Sequence, residues 1–207
     1  AWVDDIKASL PELPDAKKAR FISDFGLSDY NASVLTADQP NADYFEKMVK
    51  ATEVAGISVT EKQVNSGSTV AHGISNMIVN ELFGALKKSE LDIESSPISP
   101  ERFSKIVVMM RAGDISSKMA KDVFEIAYTS DRDPTEIVET EGMKQVTDTG
   151  AIEAAVDEII AANPAQVEKA KQNPKLAGWF VGQVMKATGG QANPAVVNQI
   201  IAAKLGL

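Results

Sequence analysis

The side chains of this chain best suited to touch a polyanion gather near its end. Lys175, Gln183 and Lys186 fall on one apolar-periodic segment, and Gly189, Gly190, Gln191 and Asn193 follow in the hinge MKATGGQANPAVVN that joins it to the last segment. Cations, side-chain amides and glycine-bared backbone are the groups that meet phosphates and ribose hydroxyls. A nucleotide cradle asks for more, namely Gly-rich backbone at a helix N-terminus with Lys or Ser/Thr directly after it. Here Gln191 and Ala192 follow the glycines and no strand precedes them. The hinge reads as a turn, with a corner that touches a polyanion from outside as the remaining role.

Elsewhere the chemistry thins out. Gly178 and Gly182 stand at small-x-x-x-small spacing, which lets another helix or backbone approach closely, usually within the same molecule and less often in a partner. Trp179 and Phe180 lie between them as core, base-stacking platform, or both, with core favoured. His72 has neither a Cys nor a second His beside it and reads as a helix-surface or cap residue. The acidic stretches Glu94–Glu101 and Glu136–Glu141 lack the Asp-x-Asp-Gly pattern of a calcium loop and read as solvated surface. No catalytic residue, metal ligand or cofactor site is expected.

Composition sets the frame. The 207 residues are 44% hydrophobic and 24% charged, ordinary for a chain that buries a real core. Without a single cysteine, disulfides and thiolate metal sites are excluded, and one histidine excludes a His-pair zinc site. No run of eighteen apolar residues and no signal core occurs, so no membrane segment is expected and the cytoplasm is the default. The absent initiator Met suggests a piece of something longer. A net charge of −8 argues against nonspecific nucleic-acid binding, and hence against DNA, yet residues 161–207 carry five lysines against one glutamate, a net of +4 set against −12 for the rest. The tail is the basic end.

These residues must be held by helices. Pro14 opens a run stopped by Gly26, Ser28 caps a short one to Leu35, and Tyr44, Phe45, Met48 and Val49 mark a third before Gly56. Val70, Ile74, Ile78, Leu82 and Leu86, at spacing four, predict a long helix over about Glu61 to Lys88, weakest where Gly67 and Gly73 fall. Ser95–Pro100 is a linker whose Ser99-Pro100 end starts the helix of Phe103, Ile106, Val107 and Met110, with Met109-Met110 read as core. Ser116 opens another, burying Met119, Ala120, Val123, Phe124 and Ala127, and Asp133-Pro134 starts a short one to Val138. Only Gly142–Val146 alternates like a strand. Asp148 is placed to cap a helix through Ile152, Val156, Ile159 and Ile160, after which Asn163-Pro164, Asn173-Pro174 and Asn193-Pro194 each start another, Asn as N-cap and Pro with a helical φ already set. The fold class is all-α, divided near Val146 into a helical domain (1–146) and a small helical tail (147–207).

The stretch Asn173–Leu205, NPKLAGWFVGQVMKATGGQANPAVVNQIIAAKL, resembles the closing signature of the B subunit of the bacterial Asp/Glu-tRNA amidotransferases, the GatB family with its YqeY-type tail. Leu10–Pro14, Gly26-Leu27, Ala42–Phe45, Asn80-Glu81-Leu82, the Pro97–Pro100 linker, Ile115-Ser116, Ala120-Lys121 and Asp122-Val123-Phe124 fall in the family's order, so the resemblance covers essentially the whole chain. It implies a non-catalytic part that holds mischarged Glu-tRNA(Gln) or Asp-tRNA(Asn), the tail near the D-loop corner and the helical domain nearer the acceptor. ATP and magnesium would belong to a cradle domain outside this chain, and the A and C subunits would be its partners. Lys175, Gln183, Lys186, Gly189, Gly190, Gln191 and Asn193 would be the tRNA-facing candidates. Many relatives place Lys on either side of the hinge glycine where this chain has Gly189 and Gln191, so strong phosphate contact is not expected at the hinge itself. The alternative is a helical module that docks on a partner subunit through the Gly178/Gly182 face.

Overall fold

A computed structural model describes residues 12–62, 67–144 and 149–206. The helices are α1 (Pro14–Phe25), α2 (Asp29–Thr36), α3 (Gln39–Val54), α4 (Val70–Met77), a π-helical turn (Ile78–Leu82) running into α5 (Phe83–Ser89), α6 (Pro100–Ala112), α7 (Ser117–Thr129), α8 (Pro134–Thr140), α9 (Thr149–Ala162), α10 (Pro164–Gln172), α11 (Ala177–Ala187) and α12 (Pro194–Leu205). Among the described residues the extended structure amounts to one isolated antiparallel bridge, Lys62 to Thr69. The fold is all-α. Two compact units are present, one formed by residues up to Val108 with Lys121–Thr135, the other by Met109–Ala120 with residues from Glu136 on. The boundary expected at Val146 and the cap expected at Asp148 fall at residues 145–148, outside the described residues.

In the first unit the helix signals work as their chemistry requires. Pro14 sits in the first turn of α1, and Gly26 takes the left-handed conformation, φ 68°, that ends it. Gly26 is also a close approach, because a Cβ there would lie 3.0 Å from Thr69 Cγ2. Thr69 explains the proximity: its hydroxyl donates to the Phe25 carbonyl and accepts from the His72 N–H at 3.0 Å, closing one helix and capping another. His72 thus belongs to the first turn of α4. Ser28 caps α2 and Ser99 accepts from the Arg102 N–H at 3.2 Å, and in the second unit Ser116 accepts from the Met119 N–H at 3.2 Å. Phe21 stacks on Phe45 at 4.8 Å, and Phe103 on Phe124 at 4.8 Å, all four rings buried.

The long helix expected from Glu61 differs in two respects. It starts only at Val70, because Lys62 and Thr69 pair as the bridge and Gly67 takes φ 66°, a conformation no α-helix contains. It also carries the π-turn. In an ideal α-helix, steps of four residues drift by about 40° each, so five residues at that spacing would wander about 160° around the surface. The wider π-turn rotates less per residue and takes back part of the drift. Val70, Ile74, Ile78, Leu82 and Leu86 accordingly all face inward, none more than 5% exposed.

Met119, Ala120, Val123, Phe124 and Ala127 of α7 are buried as expected, and Met109 is buried while Met110 is half-exposed. Gly142 forms a left-handed turn, φ 62°, rather than the start of a strand, and Val146 lies outside the described residues. The tail packs α9, α10, α11 and α12 around Phe180, Val184, Val197 and Ile201, with Ile152 and Val156 from α9 and Ala170 from α10. Each such side chain, fully buried, contributes roughly 1.5–3 kcal/mol. Of the three Asn-Pro starts, Asn173 and Asn193 cap as expected, accepting from Lys175 N–H at 3.2 Å and Ala195 N–H at 2.9 Å. Asn163 does not. Its φ of −131° and ψ of 55° suit no cap, and its side-chain amide instead donates to the Ile159 carbonyl at 2.9 Å.

Candidate nucleic-acid interface

The tail helix α11 is amphipathic in an uncommon way. Its inner side is apolar, with Phe180 and Val184 buried and Val181 and Met185 half-buried against the tail core. Its outer side carries Gly178, Trp179, Gly182 and Lys186, all exposed, with Gln183 half-exposed at the edge. Lys175 continues the same stripe from the 3-10 turn Pro174–Leu176 just before the helix, so it does not share one α-helix with Gln183 and Lys186. At about 1.5 Å per residue, the two lysines are roughly 17 Å apart along the axis.

Nothing in the described chain covers this side. A Cβ built at Gly178 or at Gly182 meets no atom within 4 Å, so the close intramolecular packing favoured for this pair does not occur. The glycines bare a strip of helix backbone instead. Trp179 and Phe180, expected mainly as core, separate: Phe180 is 1% exposed and Trp179 is 38% exposed, its ring edge-on to Phe180 at 5.0 Å. Trp179 is the member of this face that sequence reasoning ranked as core. Its position four residues after Lys175 and seven before Lys186 put it on their stripe and could have shown it.

The lysines of the tail divide by partner. Lys204 is held by Asp157 at 2.6 Å and Lys171 lies 3.5 Å from Glu168. Lys175 and Lys186 have no ion-pair partner among the described residues, and both are exposed. Their charge is available to an anion.

The hinge is built for a different purpose. Gly189 and Gly190 take φ of 61° and 80°, the left-handed region that turns the chain back after α11. The N–H groups of Gly189, Gly190 and Gln191 donate to the carbonyls of Lys186, Met185 and Thr188 at 3.2, 2.7 and 3.0 Å. With its amides used to close the helix, the hinge has no nest of N–H groups for phosphate. The Gln191 side chain donates to the Gly142 carbonyl at 3.3 Å, and Asn193 caps α12. Of the seven candidates, Lys175, Gln183 and Lys186 therefore share an open face with Trp179, while Gly189, Gly190, Gln191 and Asn193 hold the turn.

The GatB domain matches residues 58–205. The chain belongs to the GatB domain family. It is 65% identical over 205 residues to the B subunit of the aspartyl/glutamyl-tRNA(Asn/Gln) amidotransferase of Dinoroseobacter shibae, covering 99% of this chain and 37% of that protein. The same-named subunits of Ruegeria sp. strain TM1040 and Cereibacter sphaeroides strain ATCC 17025 are 62% and 57% identical, each covering 100% of this chain and 38% of the relative. The chain thus spans little more than a third of the length of these GatB relatives. Among the described residues, no helix is long and apolar enough to cross a membrane and no three His, Cys, Asp or Glu side chains could jointly hold a metal ion.

Proposed function

We propose that this chain is the tRNA-holding, C-terminal part of an amidotransferase B subunit that works in the cytoplasm, and that the outer side of α11 is where its tail meets tRNA. The observation that carries this is the open face itself: two cations without an ion-pair partner among the described residues, an exposed indole and a bare backbone strip, on the basic end of an acidic chain. A folded RNA presents phosphates, 2′-hydroxyls and unstacked bases, and is recognised by shape more than by sequence. Lys175 and Lys186 supply the phosphate contacts, Trp179 a flat surface for a base or ribose, and Gly178 and Gly182 the room for a sugar-phosphate chain to come close.

The chemistry of transfer is assigned to the rest of the subunit and to its A and C partners. Conversion of Glu-tRNA(Gln) or Asp-tRNA(Asn) to the amidated form uses ATP and magnesium, which this reading assigns to a cradle domain outside this chain. This chain positions its substrate and is itself non-catalytic.

Titration of labelled tRNA at several salt concentrations tests the reading. Lys175→Ala with Lys186→Ala is expected to weaken binding and to flatten the dependence of log K on log salt by about 0.7–0.9 per lost phosphate contact. Trp179→Ala is expected to weaken binding without changing that slope. Unchanged affinity and slope in the double lysine variant would overturn the assignment.

A further inference from the structure

A second feature lies in the other unit, beside the π-turn. An open groove of about 640 Å³ runs between the π-turn with α5 on one side and α7 on the other. Its floor is small and apolar, formed by Gly84 and Ala85 against Phe124 and Tyr128, and a Cβ at Gly84 would meet nothing within 4 Å. Its lips are acidic. Glu81 stands on the π-turn, Asp122 and Glu125 stand on α7, and among the described residues Lys88 is the one cation lining the groove. Lys121, just outside, is bound to Glu81 at 2.7 Å and so cancels one carboxylate, leaving Asp122 and Glu125 exposed with no ion pair among the described residues. Asn80 and Glu81 line it from one element and Asp122 and Phe124 from the other, while Leu82 and Val123 of the same two motifs are buried.

The sign of the charge decides the class of occupant. With Glu81 matched by Lys121 and Lys88 set against Asp122 and Glu125, the lips keep a net charge of −1, which disfavours a phosphate backbone. An apolar floor between acidic lips fits a protein segment that places an apolar side chain against Ala85, Phe124 and Tyr128 and a Lys or Arg beside Asp122 and Glu125. The π-turn is what opens the space, because it turns Gly84 rather than a larger residue toward α7. We propose that this groove docks a basic, partly apolar segment of a protein subunit in the same assembly, a surface distinct from the tail face proposed for tRNA.

The test uses the complete subunit in its purified assembly, with a photo-crosslinking phenylalanine derivative in place of Gly84. The expected result is a crosslink, mapped by mass spectrometry, to a subunit segment with Lys or Arg within one helical turn. Its yield should fall about tenfold when Asp122→Lys and Glu125→Lys are introduced, as a loss of some 1.4 kcal/mol in docking would give. Both residues are exposed, so the charge-reversed subunit should keep the thermal stability and tRNA affinity of the parent, and a change in neither separates this result from misfolding or from failure of the tail assignment. A crosslink to RNA, the lack of any crosslink, or a protein crosslink indifferent to charge reversal would each overturn the proposal.

Discussion

Replacing Arg102 is expected to loosen the first unit more than any surface charge in it. This side chain leaves the first turn of α6 and binds four backbone carbonyls. Nη1 donates to Pro97 at 3.2 Å, and Nη2 to Ala127 at 3.2 Å, to Ser130 at 2.8 Å and to Arg132. Three of these carbonyls belong to the end of α7 and the turn after it, where a helix leaves its last carbonyls without intrahelical partners. The guanidinium therefore caps α7 from outside while tying it to the linker before α6. A hydrogen bond from a charged donor is worth about 1.5–3 kcal/mol alone. Here one nitrogen is shared among three acceptors and Nε is buried without a partner, which costs part of the gain. Arg102→Met, which keeps the aliphatic stem, should thus cost about 2–4 kcal/mol, within the range for breaking a buried polar network. Arg102→Lys should recover less than half, since one ammonium cannot reach Pro97 and the α7 end together. Urea unfolding followed by circular dichroism gives the magnitude, and hydrogen exchange should show faster opening at Ala127–Asp133. A loss below about 0.5 kcal/mol for Arg102→Met, the level of an ordinary surface change, would refute the clamp.

Other perturbations separate local from global effects. Gly190→Val puts a β-branched residue at φ 80° and should cost the tail about 2 kcal/mol, read as earlier exchange of the α11 and α12 amides. Tyr44 is buried and donates to the Ile98 carbonyl at 2.8 Å, but that carbonyl also accepts from Ser96 Oγ at 2.9 Å, so Tyr44→Phe strands no acceptor and should cost only about 1 kcal/mol in a urea melt. Burial pushes the Tyr44 phenol up from its ordinary value, so the stabilisation it carries is complete below about pH 10 and lost as pH rises further, and Tyr44→Phe should remove a late phenol ionisation from an ultraviolet titration. Burial also pushes the Asp133 carboxyl up, but the bonds from Lys105 and the Thr135 N–H outweigh it and hold Asp133 below the usual carboxylate range. Its stabilisation is present above that range and lost as pH falls, so an Asp133→Asn difference in melting temperature at pH 7 should shrink below about pH 4.

What the residues could reveal in advance followed how local each signal was. Caps at Ser28, Ser99, Ser116, Asn173 and Asn193 are decided within three residues, and the spacing of Phe103, Ile106 and Val107 is a property of one helix, so both were legible. The start of α4 was not, because the chain before the Thr69 cap is held out of the helix by the Lys62–Thr69 bridge and the left-handed Gly67. Asn163 misled for a related reason: the same Asn-Pro pair that caps elsewhere is pulled back here onto the Ile159 carbonyl. In the tail, Lys175, Gln183 and Lys186 could be placed together from spacing, whereas the roles of Gly178 and Gly182 depend on whether anything packs over them, which no spacing states. Trp179 was ambiguous because an aromatic beside a core phenylalanine has either face available, and one helical step of about 100° decides.

The π-turn makes helix length a matter of phase. Five residues at about 82° each in the π-turn and four at about 100° in an α-helix both come to about 400°, so taking one residue out of Ile78–Leu82 would restore an ordinary α-helix and leave everything beyond it in nearly the same phase. Leu86 would stay in the core, and Gly84, Ala85 and Lys88 would still line the groove. A deletion in the π-turn would thus spare both the hydrophobic seam and the groove beside it, whereas the same deletion in a plain α-helix would swing everything beyond it by about 100°.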